Sequence, residues 1–420
     1  MTIPSDRPAE REVPQMSVEE LRSLQALGGE IAEEHLVLNM GPQHPSTHGV
    51  LRLLLELDGE RVVKCVPDVG YLHTGIEKEM ETKTYLKSLV LTDRMDYLAP
   101  LTNNLAYCTA LEKLMDVTVP PRAQAIRLIL NELQRLNSHL VWLGTHALDL
   151  AAISMFWYTM RERELILDVF EMVSGARMMT SYFRPGGVWR DVPAGFEDTV
   201  RAIVNKLPGR IDEYARLLTR NPIFMDRTQG IGAISGEDAL AWGLTGPSLR
   251  ASGVNWDLRK AEPYCGYEQY EFDVPLGEHG DVYDRYLCRL AEMYESVKII
   301  RQALDRGLPP GEVMTGDRKI APPPRSEIGV SMEALIHHFK LWTEGFTPPA
   351  GEVYRSIESP RGEIGCYIRS DGTPRPARVR FRTPSFVGLG AMPVLSKTAL
   401  VADLVAIVGS IDIVLGDCDR

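Results

Sequence analysis

Apolar residues recur along this chain with two periods, and the switch between them divides it. From residue 34 the period is two. "EEHLVLNMG" alternates around Leu36, Leu38 and Met40, and "LRLLLELDGERVVKCVP" carries two strand-like runs joined across an Asp58-Gly59 turn, a strong hairpin signal. From about 107 to 306 the repeat is three to four. In "PPRAQAIRLILNELQRLNSHLVWLG" the residues Ile126, Ile129, Leu130, Leu133, Leu136, Leu140 and Leu143 share one face, which predicts a long amphipathic helix between Pro120-Pro121 and Gly144. "MRERELILDVFEMVSGARMM", "FEDTVRAIVNKLPGRIDEYARLL" and "DVYDRYLCRLAEMYESVKIIRQALDRG" repeat the pattern, and an antiparallel bundle buries such stripes economically. Past "IAPPPRSEI", a helix in "SMEALIHHFKLWTEG" precedes strand-like runs in "GEVYRSIES", "GEIGCYIRSDG" and "ARVRFRTPSF", then an apolar helix that stops at Arg420. The expected class is α+β. A central antiparallel helical bundle (107–310) lies between an N-terminal β-rich region (34–106) and a C-terminal α+β region (311–420), behind a polar arm (1–33).

Composition narrows the function classes. With 420 residues, 44% hydrophobic and 25% charged, the chain is expected to fold around one or two cores. Its formal charge of -11 opposes nucleic-acid backbones and anionic lipid, and no basic patch overrides it. The most apolar stretch, "LVADLVAIVGSIDIVLG", is interrupted by Asp403 and Asp412, so a cytosolic protein, at most peripheral to a membrane, is expected rather than a spanning one. Cysteines at 65, 108, 265, 288, 366 and 418 form no C-x-x-C pair. An iron-sulfur cluster serving this chain would be held by a partner. No G-x-G-x-x-G follows a strand, so a dinucleotide would bind elsewhere too.

Three segments hold candidate chemistry. "GPQHPSTHG" places His44 and His48 four apart in a loop that its prolines and glycines keep from being helical. His44 reads as structural, whereas His48, at the loop's end, can face a cleft. "DRMDYLAP" gathers Asp93, Arg94, Asp96 and Tyr97, and a phenol in an apolar pocket can donate a proton to a carbonyl. Asp149 stands among apolar residues in "GTHALDLAAISMFWY"; it either caps the helix that follows or charges and orients a histidine.

Taken in order, "GPQHPSTHGVLRL", "GYLHTGIEK", "DRMDYL", "PPRAQAIRLILNELQRLNSHL", "RPGGV", "LTGPSLRASGVNWDLRK", "SMEALIHHFK" and the ending "GDCDR" closely resemble the family of D-type, quinone-site subunits of the proton-pumping NADH:quinone oxidoreductase, respiratory complex I. The resemblance runs from about residue 34 to the last. It implies the fold of the nickel-iron hydrogenase large subunit, in which two C-x-x-C pairs bind the metals. Those four positions here read Asp96, Ala99, Val414 and Asp417, with Cys418 out of register, so the sulfur donors that such a centre needs are gone and no metal is expected. A hydrogenase-like enzyme and a non-catalytic scaffold are the alternatives.

The family's site carries over residue by residue. His48 and Tyr97 match the partners of the quinone carbonyls, and Asp149 matches the aspartate paired with that histidine. Thr145 and Val414 match positions lining the headgroup pocket; Arg94 matches an arginine near the terminal 4Fe-4S cluster of the adjoining subunit. Met179 stands where many members have histidine near that cluster, which removes an ionisable group there. The resemblance further implies quinone as substrate, NADH and FMN in other subunits, and contacts with the cluster-bearing subunit, a C-type neighbour and the membrane subunit at the quinone entrance. It places the protein peripherally on the cytoplasmic face of a bacterial cell membrane, or on the inner mitochondrial membrane in a eukaryote.

Overall fold

The hairpin forms where its turn chemistry requires. Strand β2 (Arg52–Asp58) runs antiparallel to β3 (Arg61–Asp68) across Gly59, which takes a φ of 60° that a side chain would resist. β1 (Leu36–Met40) adds antiparallel to the other edge of β2, giving the order β1-β2-β3. Period-two alternation buries Leu53, Leu55 and Leu57, but on the edge strand only Met40 reaches the core, while Leu36 is 60% exposed. The computed structural model describes residues 35–43 and 49–420. The arm of residues 1–33, His44 and His48 lie outside the described residues.

Helices begin well before residue 107. α1 (Ile76–Met80), α2 (Tyr85–Thr92) and α3 (Pro100–Met115) precede α4 (Pro121–Asp149), and Pro sits at the start of α3 and α4, where its missing N–H costs nothing. α4 runs past the expected stop at Gly144. At that glycine a Cβ would stand 2.5 Å from Thr159 Oγ1 and 3.2 Å from the Phe156 Cα, both on α5 (Ile153–Ser174). Gly144 therefore marks the close crossing of two antiparallel helices rather than a helix end. α4 packs between α5 and α7 (Val282–Arg306), and α7 also packs on α6 (Phe196–Leu218).

The bundle interior is not purely apolar. Glu132, Arg135, His139, Arg250, Asp257, Arg259, Glu292 and Glu358 are all buried and bonded to one another, with Arg250 donating to Glu292 at 2.5 Å and to Glu358 at 2.8 Å. His139 Nε2 lies 3.0 Å from Glu292. Burial lowers the His139 pKa to about 4 against the pull of Glu292, so the ring is neutral and donates to the carboxylate.

α8 (Met332–Thr343) leads to a second three-stranded antiparallel sheet, β4 (Gly351–Ser359), β5 (Gly362–Ser370) and β6 (Arg378–Arg382), in sequence order. The apolar C-terminal run is two helices rather than one. α9 (Val401–Ile411) ends at Asp412, which takes a left-handed φ of 59°, and α10 (Leu415–Asp419) follows in a new direction. The described residues form a mixed α/β fold with small antiparallel sheets.

Candidate functional site

Tyr97 sits in the tight turn between α2 and α3, and the first turn of α3 pins that turn. Asn103 Nδ2 donates to the Thr92 and Asp96 carbonyls at 3.0 Å each, and Gln134 Nε2 on α4 donates to the Leu98 carbonyl at 2.6 Å. The phenol itself is half-buried. Burial raises its pKa, the neighbouring Arg361 opposes that rise, and Asp96 adds to it, so the hydroxyl stays protonated at neutral pH.

The C-terminal stretch threads between this turn and the end of α4. Gly416 packs so tightly that a Cβ would meet the Met95 carbonyl oxygen at 2.5 Å, the Arg94 carbonyl oxygen at 3.1 Å and Tyr97 Cδ1 at 3.3 Å. At its other end Gly409 approaches α4, where a Cβ would stand 2.6 Å from His146 Nδ1 and 3.5 Å from Asp149 Oδ2, and Trp142 Nε1 donates to the Gly409 carbonyl at 2.8 Å. Residues 409–416 thus pass close to Asp149 at one end and to Tyr97 at the other, with buried Val414 between them. Beyond them, Asp419 accepts from the Gly70 and Leu72 N–H groups at 2.8 and 2.7 Å, and Arg420 pairs with Glu77 at 3.0 Å, clamping the "GYLHTGIEK" segment.

Asp149 does not cap the following helix, one of the two roles its sequence context allowed. It is the last residue of α4, while Ala152 occupies the cap position of α5. A carboxylate at a helix C-terminus faces the negative end of the helix dipole and is best accommodated beside a cation. Thr145 lies one turn earlier on α4, half-buried, its hydroxyl donating back to the Val141 and Trp142 carbonyls at 3.1 Å.

Asp96 and Asp417 lie within the field of one buried guanidinium. Arg361, from the β4–β5 turn, donates through Nη1 to Asp96 at 2.7 Å and to Ser138 Oγ at 2.9 Å, and through Nη2 to Asp412 at 3.1 Å. Asp417 lies close enough for the charge of Asp96 to act on it. Its pKa is pushed up to about 7, first by burial and then by Asp96, against the pull of the Ser385 hydrogen bond and Arg361. Ser385 also receives the Val414 N–H at 3.3 Å. Sequence reasoning missed Arg361 altogether and noticed Asp412 only as an interruption of an apolar run. The available signal was a lone charge in the apolar run "GSIDIVLG"; Arg361, beside Glu358 and Glu363 in "ESPRGEIG", carried none.

Arg94 is exposed, its guanidinium donating to the Val90 carbonyl at 2.8 Å. Its neighbour Asp93 accepts from the Ser181 N–H at 3.1 Å and the Ser181 hydroxyl at 2.5 Å, which ties the Met179 segment to the Arg94 turn. Burial raises the Asp93 pKa to about 6. The cysteines form no ligand set among the described residues, and burial holds their thiols protonated, Cys65 and Cys265 at about 11.

A family model described as respiratory-chain NADH dehydrogenase, 49 kDa subunit, matches residues 149–420. The chain is 65% identical over 397 residues to the second D-type NADH-quinone oxidoreductase subunit of Roseiflexus sp. (strain RS-1), covering 94% of this chain and 95% of that protein. The first D-type subunit of Herpetosiphon aurantiacus is 63% identical over 93% of each chain, and the D-type subunit of Geotalea uraniireducens is 56% identical over 92% of this chain and 99% of its own length. No helix of the described residues is long and apolar enough to cross a membrane. The chain belongs to the family of the 49 kDa subunit of respiratory-chain NADH dehydrogenase.

Proposed function

We propose that this chain binds the quinone headgroup between the Tyr97 turn, residues 409–416 and the end of α4, and protonates it as it is reduced. The chain is a quinone-site subunit of an NADH:quinone oxidoreductase, complex I, and so part of an oxidoreductase. Quinone is its substrate, and other subunits of the complex are its partners. The observation that supports the site reading is the span of residues 409–416, in which a Cβ at Gly409 would come within 3.5 Å of Asp149 and one at Gly416 within 3.3 Å of the Tyr97 ring.

Reduction of a quinone takes two electrons and two protons, and charge arriving on a carbonyl oxygen in an apolar pocket is unfavourable unless donors meet it. Tyr97 supplies one O–H. His48, kept cationic by Asp149, supplies the second proton at the other carbonyl. The electrons come from a 4Fe-4S cluster in the adjoining subunit, whose face on this chain includes Arg94 and the Met179 segment; NADH and FMN are bound further off. The C-type neighbour and the membrane subunit at the quinone entrance complete the surroundings, on the cytoplasmic face of the membrane. Loss of the His48 proton weakens its attraction to Asp149, and that change is the signal passed to the membrane proton channels. In this reading the architecture is that of the nickel-iron hydrogenase large subunit, with a carboxylate–guanidinium group where the metals would lie.

Quinone reductase kinetics of the assembled complex test it. Tyr97→Phe should lower kcat about tenfold or more by removing a general acid, and His48→Ala or Asp149→Asn should uncouple or abolish the reaction. Assembled variants with unchanged quinone kinetics would leave the chain a scaffold.

A further inference from the structure

We infer that Arg361 is a positioning residue of this site, holding the turn that bears Tyr97 in register with the segment that bears Val414 and presenting its charge to the phenol as the proton leaves. The inference rests on the quinone-site reading and gives a role to a residue that the sequence motifs had not singled out.

The bonds of Arg361 define the role. Asp96 and Tyr97 are consecutive, so the 2.7 Å bond from Nη1 to Asp96 fixes the backbone that carries the phenol. Asp412 lies two residues before Val414, so the 3.1 Å bond from Nη2 fixes the opposite wall. The bond to Ser138 Oγ at 2.9 Å anchors both to α4. Arg361 is only 3% exposed and its Nε has no partner among the described residues, so a buried cationic edge is left with hydrogen-bonding capacity.

Charge counting supports the same role. Asp96, Asp412 and Asp417 are each at most 5% exposed; the field of Arg361 reaches all three, and that of Arg289 reaches Asp412. Three carboxylates against two guanidinium groups would bury a net negative charge, which is costly. Arg361 bonds directly to Asp96 and Asp412, whereas Asp417 is bonded to neutral Ser385, whose N–H donates to it at 3.3 Å, and its Oδ1 has no partner among the described residues. Asp417, its pKa pushed up to about 7 by burial and by Asp96, is therefore the carboxyl of the three that takes up a proton most readily. When the Tyr97 O–H bond breaks and a new O–H bond forms on the quinone oxygen, the phenolate left behind lies within the fields of Arg361, which attracts it, and Asp96, which repels it. Arg361 is the cation in that group, so it favours proton release.

The test uses the assembled oxidoreductase, with NADH oxidation by a water-soluble acceptor as the check on assembly and electron supply. Arg361→Gln should lower kcat for quinone about ten- to a hundredfold while changing quinone KM by less than about threefold. The alkaline limb of its pH profile should move upward, because a phenol that loses a nearby cation holds its proton more tightly. Arg361→Lys, which keeps the charge, should recover most of kcat and the original profile. Wild-type kcat and pH profile in Arg361→Gln, or a lysine variant no better than glutamine, would overturn the inference. If Arg361→Gln fails to assemble, Arg361→Gln with Asp96→Asn removes the pair together and is read by the same criteria. Tyr97→Phe run in parallel separates the two levels. Unchanged quinone kinetics there would sink the site reading itself, whereas a slow Tyr97→Phe beside a wild-type Arg361→Gln sinks only the role given to Arg361.

Discussion

Gly416→Ala should damage quinone reduction far more than it damages the fold. A methyl at this position would stand 2.5 Å from the Met95 carbonyl oxygen, which is backbone and cannot rotate away. Restoring an ordinary contact of about 3.4 Å requires the two segments to part by roughly 0.9 Å. Overpacking of this kind costs about 1–3 kcal/mol, a loss that a chain with this much buried core tolerates. The displaced atoms, however, belong to the turn that carries Tyr97, and a misplacement of about 1 Å at a reacting centre can cost around a hundredfold in rate. Quinone reductase turnover of the assembled complex should therefore fall ten- to a hundredfold, with NADH oxidation by a water-soluble acceptor retained. Gly409→Ala is the matched control at the Asp149 end: its closest clash, at 2.6 Å, is with the His146 ring rather than with backbone, so its effect should be smaller. Turnover unchanged in Gly416→Ala, or a larger loss in Gly409→Ala, would refute the reasoning that the Tyr97 turn and residues 414–417 form one rigid wall.

The other predictions concern packing, buried charge and pH. Gly144→Ala should lower the thermal stability of the complex through the 2.5 Å approach to Thr159 Oγ1, and adding Thr159→Ala should recover part of it, a coupling readable from the double-mutant cycle. Glu292→Ala would leave Arg250 without one of its buried partners and His139 without its acceptor, and should cost about 3–5 kcal/mol, seen as poor assembly or a lowered Tm. Asp93, its pKa raised to about 6, binds its proton more tightly folded than unfolded. Its contribution to stability is therefore complete below about pH 4 and is lost as pH rises towards 6, so Asp93→Asn should flatten the stability of the complex over that window; an unchanged slope in a pH-resolved melt would contradict the assignment.

Local chemistry made part of this legible. Asp58-Gly59 announced the first hairpin, and the three-to-four repeat from Ile126 to Leu143 announced α4, because turn geometry and a buried helical face each leave a period in the chain. Motif resemblance marked the Tyr97 and Val414 segments. Other features left no local trace. Gly144 looked like a helix stop because a glycine that ends a helix and one that admits a neighbouring helix read alike; only Thr159, fifteen residues on, distinguishes them. The C-terminal helix looked continuous because its break depends on Asp412 taking a left-handed conformation while bonded to Arg361.

The sequence alone determined which segments could be strands or helices, that no cysteine stands at 96, 99, 414 or 417, and which phenol and carboxylate were candidates for chemistry. Tertiary structure decided what surrounds them. Arg361 reaches Asp96 from 265 positions away and Asp412 from 51 away, and nothing in the neighbourhood of any of the three encodes the others. A buried charge is tolerable only where an opposite charge is delivered to it, and delivery across such separations is a property of the folded chain.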